Sequence, residues 1–222
     1  MPPIGKKDLN GRGLAHPAPY TRSIVELFGT LELSGRVLDP FAGTGLIHDL
    51  GLEAVGVEIE PEWAELREGT IIGDATRLPF RDVCFDAVVT SCTYGNRYAD
   101  HHKAKDGSLR RTYTHDLGRD LHPRNTGKMA WKGPGVGPYC ELHEEAWSEV
   151  WRVLARDGRF VLNIKNHIKA GVEQMVTEWH AELLSTIGFN MVQAHQVFTP
   201  GMRVGANRQR VPFESVLVWR KP

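Results

Sequence analysis

A chain of 222 residues can bury one sizeable core, and 41% apolar with 24% charged residues describe a globular protein rather than a disordered or fibrous one. No apolar run approaches the roughly 20 residues of a membrane span, and the start Met1-Pro2-Pro3-Ile4-Gly5-Lys6-Lys7 lacks the apolar centre of a signal peptide. Three cysteines at unrelated spacings (Cys84, Cys92, Cys140) suggest neither a disulfide framework nor a zinc cluster, so a cytoplasmic setting and a metal-free site are expected.

The formal net charge of zero hides an asymmetry. Between Gly95 and Cys140 nine Lys/Arg stand against four Asp, and from Thr199 to Pro222 five stand against one Glu. Two basic segments on an otherwise acidic body predict a polyanion held at one face, although solvated loops would give the same count.

In chain order, a helix is predicted over residues 20–33 and β-branched, apolar strands over 36–39 and 53–58. A helix over 61–68 follows, with Pro61 in its first turn where a missing N–H costs nothing. A third strand precedes Asp74, and a fourth spans 85–90. Residues 95–140 then break the rhythm with seven Gly, three Pro and no sustained period. So long a connection is usually functional or disordered, and its Arg, His, Tyr and Trp content favours a substrate-facing lid. Beyond it come a helix over 142–155 closed by Asp157-Gly158, a strand over 159–164, and an amphipathic helix over 173–186 ended by Gly188. Strands over 189–198 and 213–219 complete the chain. The alternation implies one domain over 1–222, with a mostly parallel sheet and helices on both faces. The last connection has no room for a crossover helix, so the sheet should end in an antiparallel edge strand.

The chemistry-bearing residues gather at predicted strand ends. Val37-Leu38-Asp39-Pro40-Phe41-Ala42-Gly43-Thr44-Gly45 closes the first strand, where open α/β sheets bind ligands. Gly43 and Gly45 permit a tight turn and close backbone approach. A nicotinamide-dinucleotide pattern fails because His48 stands at the third glycine position, and no Gly-Lys-Ser/Thr follows for a triphosphate. Glu58 ends the second strand, where a carboxylate can take both hydroxyls of a ribose, and Asp74 follows the third.

Asp39-Pro40-Phe41-Ala42-Gly43-Thr44-Gly45 resembles motif I of the amino-methylating DNA methyltransferases and related RNA enzymes. His16-Pro17-Ala18-Pro19-Tyr20-Thr21 resembles their motif X, and Ser91-Cys92-Thr93-Tyr94 their Asp/Asn/Ser-Pro-Pro-aromatic tetrapeptide with both prolines replaced. The resemblance implies a Rossmann-like methyltransferase fold with a seven-stranded sheet, and S-adenosyl-L-methionine as cofactor. It would lie against Tyr20, Asp39, Phe41, Gly43, Gly45, Glu58, Ile59, Asp74, Ala75 and Thr90, with Asp39 near the methionine moiety and Asp74 near the adenine amino group. Ser91 would hold and polarise the exocyclic amine of the target base, N4 of cytosine or N6 of adenine, and Tyr94 would stack on the flipped ring. Cys92, Asn96, Arg97, Arg110, Arg111, Arg203 and Arg208 would face the nucleic acid, expected to be DNA, with Arg119 as a further phosphate contact and Arg210 in the same turn as Arg203 and Arg208. Four alternatives stay open. They are an RNA base substrate, a small-molecule substrate, cytosine-C5 methylation through Cys92 as nucleophile, and a non-catalytic binding module. The oligomeric state is open too.

Overall fold

The computed structural model describes residues 21–96, 113–199 and 210–222. Its centre is a seven-stranded sheet in the order β3-β2-β1-β4-β5-β9-β8. The strands are β1 (Arg36–Asp39), β2 (Glu53–Glu58), β3 (Thr70–Ile72), β4 (Phe85–Ser91), β5 (Leu154–Ile164), β8 (Asn190–Phe198) and β9 (Phe213–Arg220). The first five in that order run parallel, while β9 runs against both β5 and the edge strand β8. The expected antiparallel pairing is therefore at that edge.

Successive side chains of a strand point to opposite faces, so a sheet covered on both sides needs apolar residues at every position. Val37, Ala87, Val89, Val161, Val216 and Val218 face a layer built by Ile24 and Phe28 of α1 (Arg22–Thr30) and by Ile47 of a 3₁₀ turn (Leu46–Leu50). Their neighbours Leu38, Val88, Phe160, Leu162, Leu217 and Trp219 face the opposite layer. That layer is built by α4 (Pro138–Val153) and α5 (Val176–Ile187) through Trp147, Val150, Trp179 and Leu184. The same alternation decides what happens past the strand ends. Ser91 continues the Ala87–Val89 row, whereas Cys92 falls into the α4/α5 layer.

Four predicted boundaries shift for physical reasons. The helix expected over 61–68 is the single turn α2 (Pro61–Ala64), because the chain must turn at Gly69, φ 86°, to pair β3 with β2. Residues 173–174 belong to a hairpin, β6 (His167–Lys169) with β7 (Val172–Gln174), around the two positive-φ residues Ala170 and Gly171. Helix α5 consequently starts at Val176. Asp157-Gly158 does not close a helix either; α4 stops at Val153, and β5 runs through that pair with a register shift against β4.

The fourth shift concerns the expected lid. Its described half, from Tyr113, is built into the body. Tyr113 and Leu121 bury beside Trp63, and Trp131, Tyr139 and Cys140 join the main core. Helix α3 (Tyr113–Leu117) and the first turn of α4 lie within it, since aromatic side chains in a Gly-rich segment gain more from burial than from solvent. Arg97, Arg110 and Arg111 lie outside the described residues, as do Tyr20, Arg203 and Arg208. Among the described residues no helix is long and apolar enough to cross a membrane.

Candidate active site

The tips of β1, β2 and β4 converge on two carboxylates. Asp39, 1% exposed, accepts hydrogen bonds on Oδ1 from the Phe41 amide (3.0 Å) and the Thr90 hydroxyl (2.6 Å). That pair fixes the turn from β1 into the Gly43–Gly45 loop. Glu58 clamps the same loop from the other side, with Oε2 accepting from the Gly43 amide at 2.8 Å and Oε1 from the Glu60 amide at 2.9 Å. Burial pushes the Glu58 carboxyl up to about 7 despite these bonds. The Ile59 amide is a third backbone partner of this carboxylate, and because carboxylate oxygens accept more than one bond each, the group still suits donor hydroxyls. Gly45, φ 72°, could not carry a side chain, since a Cβ would stand 2.6 Å from Cγ of Arg67.

Asp74 sits after β3, half-buried beside the buried Ala75. Burial raises its carboxyl, but the Thr76 amide and hydroxyl and the Arg124 guanidinium outweigh that and hold it below the usual range. Arg124 also pairs with Glu145, at 2.6 Å. Arg119, read above as a phosphate contact, is committed elsewhere. Its guanidinium grips Glu60 at 2.7 Å and Glu62 at 2.5 Å. Two of the nine basic side chains behind the charge asymmetry are thus neutralised within the protein.

On the substrate side, β4, β5 and β9 bring together residues that the sequence reading missed. Ser91 pairs in register with Asn163, whose Nδ2 donates to Ser91 Oγ (3.2 Å) and to Glu214 Oε2 (2.9 Å). The Tyr94 hydroxyl donates to the same Glu214 oxygen at 3.1 Å. Lys165 stands 4.0 Å from Glu214 Oε1 and donates to Thr199 Oγ1, and burial lowers its pKa. Among the described residues, Asn163 Oδ1 is buried without a partner. The result is a wall of acceptors: a hydroxyl, an amide oxygen and a carboxylate. One signal was available in the sequence, because Asn163 interrupts an otherwise apolar strand. A separate cleft of about 360 Å³ lies between the β6–β7 hairpin and residues 210–213, and none of Ser91, Tyr94, Asn163 and Glu214 lines it.

The chain past β4 is fastened at Gly95 and Asn96. The Gly95 carbonyl accepts from the Trp131 amide (2.8 Å), and Asn96 bridges Ala130. Gly95 adopts φ 69°, and a Cβ there would lie 2.7 Å from Trp131 Cβ and 2.9 Å from its backbone nitrogen. Gly95→Ala therefore meets both a left-handed backbone and a backbone clash. We expect a loss of about 1–3 kcal/mol, read as a lowered denaturation midpoint.

Cys92 is 3% exposed, and burial pushes its thiol up to about 12. Its Sγ and one nitrogen each of His143 and His180 lie within 4.8 Å of one another, a cluster that the cysteine spacing gave no hint of. In this arrangement His180 has no free lone pair to offer a metal. The Trp147 indole, which can only donate, is bonded to His180 Nδ1 at 2.9 Å, so the His180 proton must sit on Nε2, facing Tyr139 Oη at 3.0 Å.

No protein-family model matches the sequence, and no curated protein matches it. Among solved structures, the chain is similar to a SAM-dependent methyltransferase of Thermotoga maritima, described as a possible histamine N-methyltransferase. That match has a TM-score of 0.55 at 17% identity and covers 90% of this chain and 88% of that one. A SAM-dependent methyltransferase of Methanosarcina mazei matches with a TM-score of 0.54 at 11% identity, over 88% and 96% of the two chains. The [4+2]-cyclase SpnF matches with a TM-score of 0.55 at 16% identity, over 90% and 80%. At these identities the likeness concerns architecture, and a cyclase among the matches separates architecture from chemistry. The chain has the Rossmann-like methyltransferase fold.

Proposed function

We propose that the protein transfers a methyl group from S-adenosyl-L-methionine to the exocyclic amino group of a DNA base, N4 of cytosine or N6 of adenine. The observation that carries the reading is the acceptor wall of Ser91, Asn163 and Glu214 beside the carboxylate-lined tips of β1 and β2. An amine presents donors, and this wall presents acceptors. The fit to the cofactor rests on Glu58, whose buried oxygens can each take a ribose hydroxyl. In this reading Asp39, Phe41, Gly43, Ile59, Asp74, Ala75 and Thr90 complete that cradle.

The cofactor supplies a methyl already activated on a sulfonium, so the protein's task is placement and field. Ser91 Oγ and a backbone carbonyl of the loop accept from the amine and localise its lone pair. So held, the amine nitrogen would be presented to the methyl that the bound cofactor would supply. Glu214 is the carboxylate at hand for the released proton. Tyr94 offers a ring to the base. Cys92, protonated and turned into the core, is unsuited to the covalent attack that C5 methylation requires.

The test is transfer of labelled methyl from the cofactor to DNA, RNA and protein in parallel, followed by digestion to nucleosides and mass spectrometry. N4-methylcytosine or N6-methyladenine from DNA is expected. 5-Methylcytosine would refute the amine mechanism, label in RNA alone would move the substrate to RNA, and binding without transfer would leave only a module.

A further inference from the structure

The tetrapeptide at the end of β4 has lost both prolines that would stiffen it, yet a buried polar chain reaches it from behind. The Trp147 indole on α4 donates to His180 Nδ1 on α5 (2.9 Å). His180 Nε2–H donates to Tyr139 Oη (3.0 Å), and Tyr139 Oη–H donates to the Thr93 carbonyl (2.7 Å). Trp147, His180 and Tyr139 are each 0% exposed. Because an indole only donates and a carbonyl only accepts, the links run one way from Trp147 to Thr93, and the Tyr139 hydroxyl also lies in hydrogen-bonding contact with the Cys92 thiol. His143 Nδ1 donates to the Tyr139 carbonyl at 2.7 Å, which ties the same first turn of α4 and directs the unpartnered Nε2 lone pair inward.

We infer that Trp147, His180 and Tyr139 are positioning residues, a one-way hydrogen-bonded strut that holds the Thr93 carbonyl and so sets the place of Ser91 and Tyr94 against the substrate. The inference rests on the proposed function for the meaning of that loop, but the strut can be tested without any transfer assay. A strut of neutral groups locks its anchor without gaining or losing a proton. It replaces, by tertiary contact, the local rigidity that proline rings would supply. Cys92, next to the anchored carbonyl, is shielded only while the loop is seated.

Tyr139→Phe removes one oxygen and leaves the ring. The reaction of native protein with iodoacetamide, resolved by peptide mass spectrometry, compares Cys92 past the end of β4 with Cys84 just before its start. Tyr139→Phe also removes a hydroxyl that lowers the Cys92 thiol, which alone would slow its alkylation; leaving the Thr93 carbonyl unpaired should favour loop opening, so a Cys92 rate about 10-fold or more faster, with Cys84 unchanged, is the expected sign of opening. Trp147→Phe, two links back, is expected to give a smaller rise at Cys92 alone. In a transfer assay both variants should lower kcat and leave cofactor Kd unchanged. Equal acceleration at both cysteines would mean general loosening and would overturn the inference. So would an unchanged Cys92, or a stoichiometric metal ion in the purified protein. Failure of the wild type to methylate anything would sink the proposed function, while the labelling pattern would still decide the strut.

Discussion

Glu58→Ala is expected to weaken S-adenosyl-L-methionine binding by about two to four orders of magnitude, from the loss of two hydrogen bonds to a charged group at ~1.5–3 kcal/mol each. The same substitution strips the Gly43 and Glu60 amides of their acceptor, so the loop after β1 loses its clamp as well. The wild type carries a further signature in its pH dependence. Burial holds the unliganded Glu58 carboxyl up at about 7, yet two ribose hydroxyls require the ionised form as acceptor. Binding below pH 7 must therefore expel a proton. Affinity is expected to rise about tenfold per pH unit up to neutrality and to level off above it. The free fold has the opposite preference: a raised carboxyl favours the protonated state, so its stabilising share fades as pH climbs through about 7. The thermal shift produced by the cofactor should accordingly grow between pH 6 and pH 8. In Glu58→Gln the slope should vanish along with much of the affinity. A wild-type Kd that is flat over this range by calorimetry would remove Glu58 from the cofactor site.

The second large effect separates binding from chemistry. Ser91→Ala and Tyr94→Ala are each expected to leave cofactor Kd within about twofold and to cut methyl transfer by about 10²–10³, the scale seen when one preorganised transition-state partner is deleted. Ser91 makes its bonds on the β5 and β9 side, to Asn163, and none to the cradle formed by Asp39 and Glu58. Tyr94 likewise reaches across to Glu214. A parallel loss of cofactor affinity in either variant would show that the two halves are not separate. Full activity in Ser91→Ala would shift the amine's acceptor to Glu214 or Asn163.

The parts of this site that sequence exposes are those fixed by local chemistry. Strands 36–39 and 53–58 emerged with their observed bounds, because runs such as Val55-Gly56-Val57 are buried on both faces and flanked by turn residues. Asp39 and Glu58 were legible as strand-end acids for the same reason. Glu214 was not. Its place beside Ser91 depends on β9 running antiparallel next to β5, a pairing between segments some 50 residues apart, and nothing in Phe213-Glu214-Ser215 announces it. The hairpin over residues 167–174 stayed hidden because Ala170 takes a positive φ that its residue type does not advertise. The Gly-rich insertion misled in another way. Composition identified a long connection, but only packing reveals that Arg119 and Arg124, though partly exposed, pair with acids of the body. Of the Trp147–His180–Tyr139 chain, Trp147 and His180 lay in predicted helices, but Tyr139 fell in the segment read as a lid, and the polar bonds inside that layer leave no mark in the sequence.

The most direct test is a crystal structure with S-adenosylhomocysteine. We expect both ribose hydroxyls within 3.2 Å of the Glu58 carboxylate, a distance set by ordinary hydrogen bonding. The amino-acid end should lie toward Asp39, and the sulfur should face Ser91. A ligand lodged away from the tips of β1 and β2, or a Glu58 carboxylate that touches no part of it, would contradict the account.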